Sequence, residues 1–206
     1  MYKRQVHNDA NDNNIIVTNV TINPSVNSLI DYGDAINTQI INDVAICCAY
    51  AIIEVKDPLE AAIPVIKGYH SKFPLYEKEL EFLYILIAMR LIVSLTKAAI
   101  NKVKSPLNEY LLISERSAWK LIRKWSKISE EFAFYRFREA CGLEPHPKFH
   151  LFYDWSKSKT TSPRELFPSL EITEVHHLDL SVSSSWLGLK EEFNNLDLFK
   201  FKIKQL

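Results

Sequence analysis

His7, Asp9 and Asn14 stand at the spacing H-x-D-x-x-x-x-N, and Asp31 follows in the stretch Leu29-Ile30-Asp31-Tyr32-Gly33-Asp34. A carboxylate in the place of Asp9 can take a proton from a hydroxyl. Asn14 and Asp31 offer oxygen donors of the hard kind that hold magnesium together with several waters. The plainer alternative is a polar turn, because the run His7-Asn8-Asp9-Ala10-Asn11-Asp12-Asn13-Asn14 is rich in residues that turns favour. The two readings differ in whether the rest of the chain makes these side chains converge.

The flanking sequence supplies a means of convergence. Ile15-Ile16-Val17-Thr18 is β-branched and apolar and reads as a short strand. Asn23-Pro24-Ser25 brings turn chemistry, and Ser28-Leu29-Ile30 returns as a second strand. A hairpin of this kind sets Asp9 and Asn14 beside Asp31. Residues 1 to 6 are enough for an incoming strand and little more. From Thr38 the apolar period becomes helical, with Ile40, Ile41, Val44, Ala45, Cys48 and Ile52 on one face.

Four more helices are expected. Asp57-Pro58 pairs an acidic cap with proline in the first turn, and Pro64 predicts a kink or break before Phe73-Pro74. A long helix starts near Tyr76 or Glu77 and reaches about Lys102, acidic at its start and basic at its end. A fourth contains Ala118, Leu121, Ile122 and Trp125. A fifth spans Ser129 to Cys141 and stops at Gly142. The fold class is α+β: a small β-hairpin carrying the loop, packed on a mainly helical bundle, with an irregular C-terminal extension. Within that extension, Leu178–Val182 and Leu198–Ile203 alternate like strands.

The loop, the hairpin and the Ile-Asp-Tyr-Gly stretch together resemble the catalytic loop and metal-binding segment of a kinase-fold phosphotransferase. The resemblance is closest to the aminoglycoside phosphotransferase/choline kinase superfamily, and within it to hydroxylysine kinase-like members. It rests on His7–Asn14, Leu29–Ala35, Asn42-Asp43-Val44-Ala45, Asp57-Pro58-Leu59, Gly68-Tyr69-His70, Tyr110–Ser114 and Trp119-Lys120-Leu121, in order over about residues 5 to 127. It implies transfer of the γ-phosphate of ATP or GTP to the hydroxyl of a small molecule, an amino acid or amino alcohol, with Mg2+. In that scheme Asp9 is the base and Asn14 and Asp31 hold the metal. His7 supports the loop through a hydrogen bond to backbone near Asp31. Asn8 stands where the family has glycine, and asparagine is the residue next most tolerant of positive φ.

The resemblance covers the C-terminal lobe alone. The phosphate-covering loop and the lysine–glutamate pair that position the nucleotide belong to an N-terminal lobe, which six residues cannot hold. The expectation is therefore a fragment, 1–128, that lacks its N-lobe, with that lobe to be sought upstream, followed by 129–206 as a helix and linker. Arg138–Leu143 and Leu178–Ser183 resemble the junction in multidomain proteins that join a kinase-like domain to a metallopeptidase-like segment and a class III aminotransferase. Neither of those activities carries over. A non-catalytic remnant, or a complementation partner of a separate N-lobe, is the alternative.

Composition sets the remaining bounds. In 206 residues, 25 basic side chains balance 25 acidic ones, so no bulk field draws the protein to nucleic acid or a membrane surface. The start lacks the pattern of a secretory signal, and three cysteines make no disulfide framework; the expected location is cytoplasmic. Phe82–Met89 is the richest apolar run, but Arg90 interrupts it and a bundle helix fits better than a membrane span. Cys141, His146 and His150 could bind zinc by spacing, with His176-His177 as further imidazoles, yet a linker is the favoured reading. Arg90, in an apolar helix, needs a partner: a structural ion pair, or a substrate carboxylate held bidentately. Asp34 could receive a substrate amine. Asp43 is expected to cap or anchor the bundle helix that follows.

Overall fold

The computed structural model describes residues 2–20, 22–104, 113–147 and 150. The chain divides into two compact units, Met1–Glu130 and Glu131–Leu206. The expected strands at Leu178–Val182 and Leu198–Ile203, and the linker between Ser156 and Ser162, lie outside the described residues.

The first unit is α+β. Two small antiparallel sheets precede a run of helices. β1 (Lys3–Val6) pairs with β4 (Ile36–Gln39), and β2 (Ile15–Val17) pairs with β3 (Val26–Leu29). The hairpin thus forms with Ile15 opposite Leu29, and Ile16 opposite Ser28. Its second strand starts two residues earlier than the sequence suggested.

β4 itself corrects the sequence reading. Helix α1 is Ile40–Ala51, so Thr38 belongs to a strand. Its backbone is claimed by β1, with Arg4 opposite Thr38 and Gln5 opposite Asn37. The chain enters α1 straight from that strand, and Ile40 N–H still donates to the carbonyl of Tyr2.

The apolar face expected of α1 is the face it buries. Ile41, Val44, Ala45, Cys48 and Ile52 are all at most 2% exposed. They pack against α2 (Pro58–Lys72) and α3 (Glu77–Lys104), which contribute Ala62, Ile66, Leu80, Leu83 and Ile87. Burying a large aliphatic side chain contributes on the order of 2 kcal/mol, so this interface is the main source of the bundle's stability. Asp57 caps α2 by accepting from Glu60 N–H at 3.1 Å. Of the kink or break expected at Pro64, the break does not occur: α2 runs on through it. Pro64 stands on the exposed face, where water can substitute for the hydrogen bond that proline cannot donate.

α3 opens on a buried carboxylate. Glu79 accepts from Tyr76 N–H at 3.0 Å, closing the helix start, and from Tyr2 N–H at 3.1 Å. One side chain thereby ties the first strand to the longest helix. By length and composition alone α3 could cross a bilayer, with a mean hydropathy of 1.9 over its most apolar window. Its contacts with α1 and α4 (Ile113–Trp125), and an ion pair at its midpoint, make it a bundle helix here. Trp125 fixes α4 against α3: its indole N–H donates to Tyr84 O at 3.1 Å, and the two rings stack at 5.2 Å.

In the second unit, α5 (Glu130–Ala140) ends as the sequence indicates. Gly142 takes φ 72°, and the N–H groups of Gly142 and Leu143 return to the carbonyls of Glu139 and Arg138.

Candidate active site

The loop between β1 and β2 is organised by hydrogen bonds to its own side chains. Asn8 takes φ 64°, the left-handed region that asparagine tolerates better than other side chains. Its N–H donates to Asp43 Oδ1 at 2.9 Å. Asp43, in the first turn of α1, therefore anchors the loop to the bundle as well as suiting the helix dipole. Two strands and a helix start thus fix where the next residue points.

That residue is Asp9, the hub of the site. Its Oδ2 accepts from Asn11 Nδ2 at 3.0 Å and from Asn14 Nδ2 at 3.1 Å. Its carbonyl accepts from the same two amides at 3.2 and 2.9 Å, and from Asn11 N–H at 2.9 Å. Its Oδ1 accepts from Arg90 Nη2 at 2.6 Å, a charge-assisted contact that reaches across 81 residues of sequence. The two side chains are 17% and 23% exposed, so the pair is neither a surface ornament nor sealed in the core.

Asn14 joins the loop to the hairpin's far end. Its carbonyl accepts from Ile30 N–H at 3.0 Å, which sets Asp31 one residue beyond that bond. Asp31 is exposed and left-handed, at φ 60° and ψ 70°, and caps the 3-10 turn Tyr32–Asp34 through a long 3.4 Å contact to Gly33 N–H. His7, buried below the loop, donates from Nε2 to Ile30 O at 2.9 Å and packs edge-on against Tyr32. That bond puts a proton on Nε2 and leaves Nδ1 buried without a partner among the described residues. So the loop and the Ile30–Asp31 segment are stitched at two points, one through His7 and one through Asn14.

The donor set fits a magnesium ion. The Asn14 amide nitrogen is taken by Asp9, so its oxygen is the end that remains for a cation, and Asp31 presents a nearly uncommitted carboxylate. Two protein oxygens suit a cation whose other ligands are waters and phosphates. No cluster of three or more His, Cys, Asp or Glu residues with metal-binding geometry occurs among the described residues.

Of the other residues singled out in the sequence, Arg90 has its partner in Asp9 and a second in Tyr50, whose hydroxyl accepts from the same Nη2 at 2.9 Å. Asp34 is exposed at the end of the 3-10 turn, and no described contact ties it to Asp9. Asn11 and Tyr50 went unnoticed in sequence. Asn11 was legible as an asparagine two residues past the aspartate, a spacing at which the side chain reaches back. Tyr50 gave no signal beyond a tyrosine on an apolar helix. Close to the Asp43 anchor, burial first and the Asp43 charge second push the Cys47 thiol up to about 12. Cys48 is raised further by burial, so neither thiol is a nucleophile at neutral pH.

A helical bundle bearing a hairpin with an H-x-D-x-x-x-x-N loop and an adjoining Asp-Tyr-Gly turn is consistent with a kinase-like lobe. Among known proteins the chain is similar to hydroxylysine kinases. It is 35% identical over 130 residues to that of Danio rerio, covering 61% of this chain and 36% of the relative. Against the Xenopus laevis protein it is 32% identical over 132 residues, 61% of this chain and 35% of the relative. Against the Mus musculus protein the values are 31% over 125 residues, 57% and 33%. The chain spans about a third of the length of the curated relatives it matches. No family model and no solved structure matches it. These similarities bear out the kinase-like resemblance read from the motifs.

Proposed function

We propose that this chain carries the acceptor side of a small-molecule kinase, which moves the γ-phosphate of ATP or GTP to a hydroxyl of an amino acid or amino alcohol. The observation that carries the reading is the Asp9 hub: a carboxylate held in place by Asn11, Asn14 and Arg90, in a loop bonded through Asn14 to Ile30, one residue before Asp31. Hydroxylysine is the first acceptor to try, because the relatives bear its name.

In the proposed reaction the acceptor hydroxyl gives its proton to Asp9 as its oxygen bonds to the γ-phosphorus. The bond from that phosphorus to the bridging oxygen breaks, and the nucleoside diphosphate leaves with the electron pair. Asp9 afterwards releases the proton to solvent. Magnesium, held by Asn14 and Asp31, supplies neutralisation of phosphate charge when bound. His7 does no chemistry; it holds the Ile30 carbonyl and so the position of Asp31. Arg90 borders the acceptor position and would meet a substrate carboxylate, while Asp34 would meet an amine. The expected setting is the cytoplasm, where three free cysteines stay reduced.

A second element of the proposal concerns the nucleotide. Val17, Val20, Ile22, Val26, Ile30 and Tyr32 are exposed, five of them by more than half, on or beside the hairpin that bears the site. Exposed apolar side chains gathered on one hairpin suit a docking face for a further protein element. We assign it to a nucleotide-binding lobe, whether on the same polypeptide or another, and a purely non-catalytic interaction role is the competing reading. The test is phosphorus NMR of MgATP or MgGTP with hydroxylysine, ethanolamine or choline. The chain is assayed alone and with a relative's nucleotide-binding lobe added in trans. A new phosphate-ester signal in either format supports the proposal. Its absence from both formats leaves the interaction role and rejects the kinase.

A further inference from the structure

The polar contacts of Asp9 leave little room, and what they leave is informative. An ionised carboxylate has about four lone-pair sites. Two, on Oδ2, are filled by Asn11 and Asn14, and one, on Oδ1, by Arg90. One site on Oδ1 remains, and resting on the kinase reading above, that is where an acceptor hydroxyl must be received.

Arg90 threatens that site. Guanidinium groups favour two parallel bonds to a carboxylate, and Arg90 here makes one. A second donor is at hand: Nε–H of Arg90 is buried and has no partner among the described residues. A small turn of the guanidinium would bring Nε–H beside Nη2–H onto Oδ1 and fill that oxygen's last lone pair, since Oδ2 already accepts from Asn11 and Asn14. What opposes the turn is Tyr50. Nη2 carries two protons, one directed to Asp9 Oδ1 at 2.6 Å and the other to the Tyr50 hydroxyl at 2.9 Å. The guanidinium carbon also lies 5.4 Å from the centre of the Tyr50 ring. Tyr50 sits near the end of α1 and Arg90 mid-way along α3, two helices whose packing is the core of the bundle.

We propose that Tyr50 is a positioning residue that keeps Arg90 on a single lone pair of Asp9, so that the other is open to the acceptor hydroxyl. Arg90 steadies the base, and Tyr50 prevents it from closing the base off. The hydroxyl of Tyr50, and not its ring, carries this role.

Tyr50→Phe removes the hydroxyl and keeps the ring. Crystal structures of the wild type and of this variant read the geometry directly. The expected result is a second Arg90–Asp9 nitrogen–oxygen contact within about 3.2 Å in the variant. A single contact, as in the wild type, overturns the proposal. Turnover with hydroxylysine, in whichever format gives transfer, is expected to fall by roughly tenfold or more, the scale of disturbing a general base. Nucleotide KM should stay unchanged. Adding Arg90→Lys to Tyr50→Phe should restore part of the loss, because an ammonium cannot grip a carboxylate side-on. A merely structural tyrosine predicts the reverse, a further loss in the double variant, and that outcome rejects the idea. If the wild type transfers no phosphate in any format, the kinase reading fails, and the crystal geometry still decides whether Tyr50 holds Arg90 off.

Discussion

Arg90→Ala tests how much of the bundle's stability runs through the loop that carries Asp9. The variant removes the 2.6 Å contact to Asp9 and the 2.9 Å contact to Tyr50. Two unit charges about 4 Å apart at an effective dielectric of ~20 attract by roughly 4 kcal/mol before desolvation. Exposed pairs retain about 0–1 kcal/mol of such attraction, while breaking a fully buried pair costs about 3–5 kcal/mol. With side chains 17% and 23% exposed, this pair lies between those limits. Asp9 would keep its two asparagine donors and gain water on Oδ1, which argues for the middle of the range, about 2 kcal/mol. The assay is urea unfolding followed by circular dichroism for Arg90→Ala, Asp9→Ala and the double variant. A coupling energy of about 1.5–2 kcal/mol is expected, changing little between 0.1 and 0.5 M salt because a partly buried pair is poorly screened. A coupling below about 0.5 kcal/mol would place the pair with exposed ones and refute the reasoning.

Two other outcomes follow from single features. At Asn8, held at φ 64°, alanine should cost about 1 kcal/mol and glycine almost nothing, measured by thermal unfolding; equal effects would mean the loop relaxes out of the left-handed region. The raised thiol of Cys47 makes the fold sensitive to alkali. An unfolded thiol ionises near 9 and the folded one near 12, so its contribution is whole below pH 9 and declines as pH rises from 9 towards 12. The urea midpoint should fall over that window, and less steeply in Cys47→Ala; a midpoint that rises with pH would contradict the buried thiol.

How much of this was legible in the sequence depended on separation along the chain. His7, Asp9, Asn14 and Asp31 lie within 25 residues, and their spacing together with one hairpin was enough to foresee that the loop is tied to the segment leading into Asp31. The face of α1 was equally plain, since Ile41, Val44, Ala45, Cys48 and Ile52 repeat with the helix. β4 was not, because Asn37, Thr38 and Gln39 form a strand only through pairing with β1. Its neighbours Ile40 and Ile41 advertise a helix, and local propensity yields to a partner more than thirty residues away. Arg90 declared that it needed a partner but not which one. The answer, Asp9 and Tyr50, is a matter of how α1 and α3 pack, and no local pattern encodes it. Of the kink or break that Pro64 announced, the break is absent, because the rule that proline breaks helices matters less on a face open to water.

The central claim is that Asp9 is the base of a phosphoryl transfer site, and Asp9→Asn tests it most directly. The substitution preserves shape and removes the charge that accepts the proton. Measured as γ-phosphate transfer to hydroxylysine in whichever format the wild type supports, turnover should fall by about 100-fold or more, with nucleotide KM little changed. Turnover within about twofold of the wild type would contradict the account, because a site that works without the Asp9 carboxylate does not use it as its base.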